Sequence, residues 1–342
     1  MNAQFTRHEL IFKQASGTSR GVLTTKETYL LEISKNGQKG IGECAIFRGL
    51  SYDDVPDYEE KLTWLCENIN LDFEVLKKEL LHYPSIIFGL EQALLNLEHG
   101  EDLYFPSDFT DGKDSIKING LIWMGNADFM QSQIEEKLAK GFDCIKLKIG
   151  VDWKSEKEII KKLREKFPKE QLELRVDANG AFSYEEATIV LQELADLGIH
   201  SIEQPIKKSQ VKTKKSQKTD EINSTDYCAP WNEMAKLCAE TPTPIALDEE
   251  LIGIIDFEEK KKLLETIKPQ YIILKPALVG GFSGSDEWIA IAESLGINWW
   301  ITSALESNIG LNAICQYTYT KKNPLPQGLG TGALFTNNFE TH

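Results

Sequence analysis

The stretch 173–198, "ELRVDANGAFSYEEATIVLQELADLG", decides how the chain is read. A short apolar run ends in Asp177 and Asn179, two positions apart, and a helical pattern follows. Strand side chains alternate between faces, so these two project to the same side at the C-terminal end of a strand. Ser183, with Glu186 three residues later, has the form of a capping box and so starts the helix by itself. Asp177 is left without a capping role, and what it faces depends on the rest of the chain.

Outward from this unit the pattern repeats. "SIKINGLI", "CIKLKIG", "SIEQPI", "PIALDEEL", "YIILKPALVGG", "NWWITSALES" and "GLGTGALF" alternate with amphipathic helical segments. Strand and helix in regular alternation imply parallel strands joined by helical crossovers. Eight strand candidates, from near Ile118 to near Leu329, predict a closed (β/α) barrel, a modified TIM barrel, over residues 114–330. Residues 1–110 read as an α+β capping domain. There "TYLLEIS" and "GIGECAIF" flank an Asn36-Gly37 hairpin signal, and three helical patterns end at Gly100. The tail at about 331–342 is expected to return to this domain.

Charged and polar residues at the strand ends recur at intervals of 26–29 residues, with one longer gap between Glu203 and Asp248. That gap holds "KKSQVKTKKSQKTDEINST", and residues 207–226 are read as a solvated loop insertion because they offer almost nothing to a core.

Composition narrows the partners. The chain has 342 residues, 41% apolar content and a net charge of −15, which argues against binding nucleic acid, since phosphates call for a basic face. No run has the length or apolar character of a signal peptide or membrane span, so no membrane partner and a cytoplasmic location are expected. The six cysteines form no CxxC pair and are expected to be reduced and mostly buried. Oligomeric state is left open.

A barrel of this kind carries its chemistry at the C-terminal strand ends. Lys146 and Lys148 in "IKLKI" share the inner face, while Ile145, Leu147 and Ile149 take the other. Asp177, Glu203 and Asp248 end the next three strands, and Lys275 stands on the far side. Buried ammonium groups need anionic partners, and three converging carboxylates repel one another and call for a divalent cation. Oxygen-only ligation suits Mg²⁺, with Mn²⁺ as a substitute, and the absence of His or Cys disfavours zinc. Any one of these residues could belong to a salt-bridge network closing the barrel. Six at the same end of five consecutive strands point to a site.

The set "KLK", "VDANG", "IEQPI", "LDEEL" and "LKPALVGG" resembles the muconate lactonizing enzyme subgroup of the enolase superfamily, over nearly the whole chain. The resemblance implies an enolase-type barrel whose mouth the N-terminal domain covers. It implies Asp177, Glu203 and Asp248 as Mg²⁺ ligands, with Asn179 and Glu249 behind them. Lys148 and Lys275 would be catalytic on opposite faces of a small-molecule carboxylate substrate, and Lys146 would support the first. "TSALESNIG" and "GLGTGALFTNNF" point to the dehydrating members, which make 2-succinylbenzoate in menaquinone biosynthesis. In these a lysine takes the proton next to the carboxylate, and an enediolate then expels hydroxide.

N-acylamino acid racemases or other epimerases of the same subgroup are the alternative, because racemases keep both lysines. A Schiff-base aldolase would use Lys275 or Lys148 and keep its activity after chelation, whereas a non-catalytic barrel would make no use of opposed lysines around a metal. The segments "QASGTSRGVLTTKE" and "FRGLSYDD" are expected to close over the mouth as mobile lids. Arg48 is a candidate for a second substrate carboxylate, and Ser303, Glu306 and Asn308 are placed in the pocket by position.

Overall fold

Asn36 and Gly37 both take positive φ, 52° and 83°, the left-handed pair that a two-residue hairpin turn requires. In the computed structural model, which describes residues 1–18, 21–123, 127–209 and 231–340, they join β2 (Gly21–Lys35) to β3 (Gln38–Cys44). A strand not read from the sequence, β1 (Asn2–Thr18), pairs antiparallel along β2, giving the sheet order β1-β2-β3. Helices α1 (Tyr58–Asn68), α2 (Phe73–Glu79) and α3 (Pro84–His99) complete this part. β3 and α3 approach so closely that only glycine fits: a β-carbon on Gly42 would sit 1.9 Å from the Gly89 carbonyl oxygen.

The segment "QASGTSRGVLTTKE", expected to serve as a lid, spans the end of β1 and the start of β2. Outside residues 19–20, which are not described, the segment is paired strand at the far end of the β1–β2 hairpin, with Ser16 opposite Leu23 and Thr18 opposite Gly21.

The second part is a parallel sheet of seven strands in sequence order: β4 (Gly120–Ile122), β5 (Cys144–Lys148), β6 (Glu173–Asp177), β7 (Ser201–Glu203), β8 (Ile245–Leu247), β9 (Tyr271–Leu274) and β10 (Asn298–Ile301). The helices beside it are α4 (Ala127–Ala139), α5 (Trp153–Lys166), α6 (Tyr184–Asp196), α7 (Asn232–Glu240), α8 (Phe257–Ile267), α9 (Pro276–Val279), α10 (Gly281–Ser294) and α11 (Asn308–Thr320). α6 starts at the capping box of Ser183 and Glu186. The outward strand residues Ile145, Leu147, Leu174, Val176, Ile202, Leu247, Ile272 and Leu274 join the helices in one buried cluster. That leaves the inward residues to decide the chemistry.

Where an eighth strand was expected, only two bridging residues stand. Gln327 bridges Ile118 and Gly328 bridges Thr302, both in parallel, so this segment links the two edges of the sheet. Pro324 and Pro326 lack amide donors for a longer ladder, and Gly328 passes so near Thr302 that a β-carbon would meet its Oγ1 at 2.2 Å. The C-terminal segment then runs back to β1: Phe335 pairs with Phe12, and the Lys13 amide donates to the Leu334 carbonyl.

All but the first three residues of the stretch 207–226 lie outside the described residues, as does Cys228. The five described cysteines are free, three of them buried. Among the described residues no helix is long and apolar enough to cross a membrane.

Candidate active site

Strand alternation brings both lysines of β5 inside the ring, and Asp177, the last residue of β6, stands beside them. Lys148 Nζ donates to Asp177 Oδ2 at 3.1 Å and to Asn179 Oδ1 at 2.6 Å. Lys146 Nζ lies 2.7 Å from Glu203 Oε2 and 3.4 Å from Asp177 Oδ2. On the other side Lys275, directly after β9, pairs with Asp248 and lies 3.9 Å from Glu203 Oε1. Three strands separate β5 from β9 in the sheet order, so Lys148 and Lys275 face each other across the ring.

Asn179 takes the left-handed conformation, φ 45°, which asparagine tolerates better than most residues. There its Oδ1 accepts from Lys148 while its Nδ2 donates to Glu249 Oε1 at 3.2 Å. One side chain thus links a lysine of β5 to the short turn after β8.

Asp177, Glu203 and Asp248 are each 2% exposed. Burial works against the Asp177 carboxylate, but Lys148, Lys146 and Lys275 outweigh it and hold its titration below the ordinary range. For Glu203, burial and the Asp177 charge win over Lys146, and the group is pushed up to about 7. Asp248 is raised as well, by burial, against the pull of Lys275. Burial opposes the Lys275 charge, yet Asp248, Glu203 and Glu249 raise its titration above the usual lysine value. Lys146 is raised in the same way, by Glu203 and Asp177 against burial.

Whether a divalent cation fits can be judged from these residues. Four carboxylates, counting Glu249, face three ammonium groups, and the buried Glu203 Oε1 has no hydrogen-bond partner. Oxygen donors in excess of positive charge suit a hard cation. The side chains as they stand do not form a ready cage: among the described residues no three acidic, His or Cys groups converge to hold an ion. Instead Lys146 reaches between Asp177 and Glu203, and Lys275 between Glu203 and Asp248.

Above this cluster opens a cleft lined by Lys146, Lys148, Asp177, Asn179, Lys275 and Ser303. Its remaining wall residues were not named individually from the sequence, although "FRGLSYDD" was expected at the mouth. Leu121 of β4 and the residues flanking that strand, Asn119 and Trp123, come next, and their period-two spacing was the available signal. Phe47 and Leu50 come from "FRGLSYDD", and Thr331 closes one side, with its hydroxyl 2.6 Å from that of Ser303.

Three positional candidates are held elsewhere. Arg48 pairs at the surface with Glu27 and Asp54. Glu306 is fully buried beneath the wall, accepting from the Ala304 amide at 2.7 Å, with Lys26 and Glu43 as charged neighbours. Asn308 donates to the Phe339 carbonyl at 2.7 Å and accepts from Asn338 at 2.9 Å.

Known proteins are similar to this chain in sequence and fold. A family model described as enolase C-terminal domain-like matches residues 130–221 and 226–338. An o-succinylbenzoate synthase from Desulfotalea psychrophila is 42% identical, over 100% of this chain and 96% of its own length. The crystal structure of MenC from Desulfotalea psychrophila superposes with a TM-score of 0.84 at 40% identity, covering 100% of this chain and 96% of that one. An o-succinylbenzoate synthase from Thermosynechococcus elongatus, crystallised with Mg in its active site, has a TM-score of 0.76 at 21% identity, covering 100% and 96%.

Proposed function

This chain is an enzyme that belongs to the enolase C-terminal domain-like family, and we propose that it is a hydro-lyase that needs a divalent cation, of the o-succinylbenzoate synthase kind. It would dehydrate 2-succinyl-6-hydroxy-2,4-cyclohexadiene-1-carboxylate to 2-succinylbenzoate, a step of menaquinone biosynthesis. The observation that carries the reading is the pair Lys148 and Lys275, facing one cleft across three buried carboxylates.

Asp177, Glu203 and Asp248 would hold Mg²⁺, which when bound supplies positive charge against the anion that develops on a substrate carboxylate. The chain's own groups do the rest. Lys148, oriented by Asp177 and Asn179, takes the proton from the carbon bearing the carboxylate. Lys275, which pairs with Asp248 across the ring from Lys148, stabilises the enediolate from the opposite face as a cation. Lys148 then returns the proton to the departing hydroxyl, water leaves and the ring becomes aromatic. Lys146, bonded to both Glu203 and Asp177, fixes two carboxylates relative to Lys148. Phe47, Leu50, Leu121 and Trp123 give the ring an apolar wall.

Racemisation of N-acylamino acids is the second reading, since the same two lysines could act as alternating bases. The test is an assay of the purified chain on the cyclohexadiene carboxylate and on a panel of N-succinylamino acids, with Mg²⁺ and with EDTA. Dehydration that EDTA abolishes and Mg²⁺ restores supports the proposal. Racemisation alone, or turnover indifferent to EDTA, would sink it.

A further inference from the structure

Gln204 follows the candidate ligand Glu203 and precedes Pro205, and it is completely buried. Its φ of 39° lies in the left-handed region, which both a β-carbon and a following proline disfavour. Such a conformation persists where the surroundings enforce it. Here the carboxamide is fully used. Oε1 accepts from the Asp248 amide and from the Glu250 amide, each at 3.2 Å. Nε2 donates to the Ile206 carbonyl at 3.1 Å and to Glu250 Oε2 at 3.3 Å.

The main chain extends the same junction. The Gln204 amide donates to the Ala246 carbonyl at 3.0 Å, and the Gly180 amide donates to the Gln204 carbonyl at 2.7 Å. Asp248 needs such a hold. It stands between β8 and the single turn Glu249–Leu251, with φ −122° and ψ −84°, in neither strand nor helix conformation. A buried amide is costly unless its bonds are specific, and an apolar side chain would fill the space without them.

We infer that Gln204 is a positioning residue that sets the spacing of the three carboxylates. It joins the end of β7, which carries Glu203, to the turn that carries Asp248, and through Gly180 to the turn after Asp177. The inference rests on the reading of those carboxylates as the cation's holders. Gln204 is completely buried and does not line the cleft, so its effect should appear in cation affinity without any turnover.

The experiment titrates Mn²⁺ into the full chain without substrate, following free Mn²⁺ by electron paramagnetic resonance. Three proteins are compared: native, Gln204→Asn, and the swap Gln204→Glu with Glu250→Gln. Asparagine keeps the amide but withdraws it by one methylene, and Mn²⁺ affinity should fall by about 10- to 100-fold, as for other residues that orient metal ligands. The swap keeps the total charge, the acceptor for both amides and a donor–acceptor pair between positions 204 and 250, and gives up only the bond to the Ile206 carbonyl, so its affinity should stay near native and well above that of Gln204→Asn. Native affinity in Gln204→Asn, or a swap as weak as Gln204→Asn, overturns the inference. If Gln204→Asn fails to fold, the swap decides: folded with near-native affinity supports it, and unfolded or weak overturns it. A native chain that binds no Mn²⁺ is a separate result, which overturns the cation reading and this inference with it.

Discussion

Two residues of β6, one apart in the inward-facing series, put charge into the same barrel and meet different surroundings. Arg175, toward the floor, is 1% exposed. Its Nε lies 2.7 Å from Glu173 Oε1, its Nη1 donates to the Pro326 carbonyl at 2.9 Å, and its guanidinium sits 4.2 Å from the centre of the Trp300 ring. Asp177, at the mouth, shares its oxygens with Lys146, Lys148 and the Asn179 amide, and opens on the cleft. The floor charge has one carboxylate, one carbonyl and one aromatic face, and it does not line the cleft. At the mouth six charged groups share partners. Buried charge alone therefore does not mark a site; charge that is shared and faces a cavity does.

The largest effects should come from breaking the mouth. Asp177→Asn, Glu203→Gln and Asp248→Asn should each remove most of the Mg²⁺-dependent dehydration while the chain stays folded by circular dichroism. Full activity in any of the three would remove that residue from the cation's holders.

Arg175→Met should reverse the pattern, with kcat within a few fold of native and a clearly lower thermal midpoint. Breaking a buried ion pair costs up to about 3–5 kcal/mol. The cost here should fall toward the low end, because the Glu173 side chain keeps 27% exposure to water. A large loss of kcat at unchanged stability would erase the distinction between floor and mouth.

The seam between the hairpin sheet and the barrel gives a smaller, pH-dependent effect. Burial, opposed by Lys26 and reinforced by Glu43, pushes Glu306 up to about 7. A carboxyl raised in the folded state favours folding while protonated, and that contribution is lost as pH rises from about 4.3, its unfolded value, through about 7. Glu306→Gln has no proton to lose, so its urea midpoint should gain on the native chain between pH 5 and pH 8. A difference independent of pH would show that Glu306 does not titrate there.

Arg48→Ala should do least. Its pairs with Glu27 and Asp54 are at the surface, where such pairs contribute about 0–1 kcal/mol. A KM raised many-fold would return Arg48 to the substrate.

The mouth was legible in the sequence because each of its residues ends a strand of a regular repeat, and residue type and period agreed. The turn at Asn36 and Gly37 and the cap at Ser183 were legible for local reasons. β1 was not: most of its described residues outside the two buried positions, Leu10 and Phe12, keep some exposure on both faces, which blurs the two-residue alternation. The eighth strand was overread, since proline and glycine leave room only for the bridges at Gln327 and Gly328. Glu306 was misplaced because its surroundings are made at long range. Next to it, Ser307 donates its amide to Glu43 at 3.0 Å, across 264 positions of sequence. Nothing local in "TSALESNIG" tells which side chain turns to the cleft and which to the seam.

In the proposed reaction two lysines divide the labour, base on one face and fixed cation on the other. The most direct test of that division is the dehydration rate of Lys148→Ala, Lys275→Ala and Lys275→Arg, measured beside exchange of the substrate's α proton in D₂O. Lys148→Ala should lose about 10²- to 10⁴-fold or more, since general base and general acid go together. Lys275→Arg keeps the charge and should retain more activity than Lys275→Ala, though altered shape should hold it below native. Substantial dehydration by Lys148→Ala, or Lys275→Arg no better than Lys275→Ala, would contradict the account.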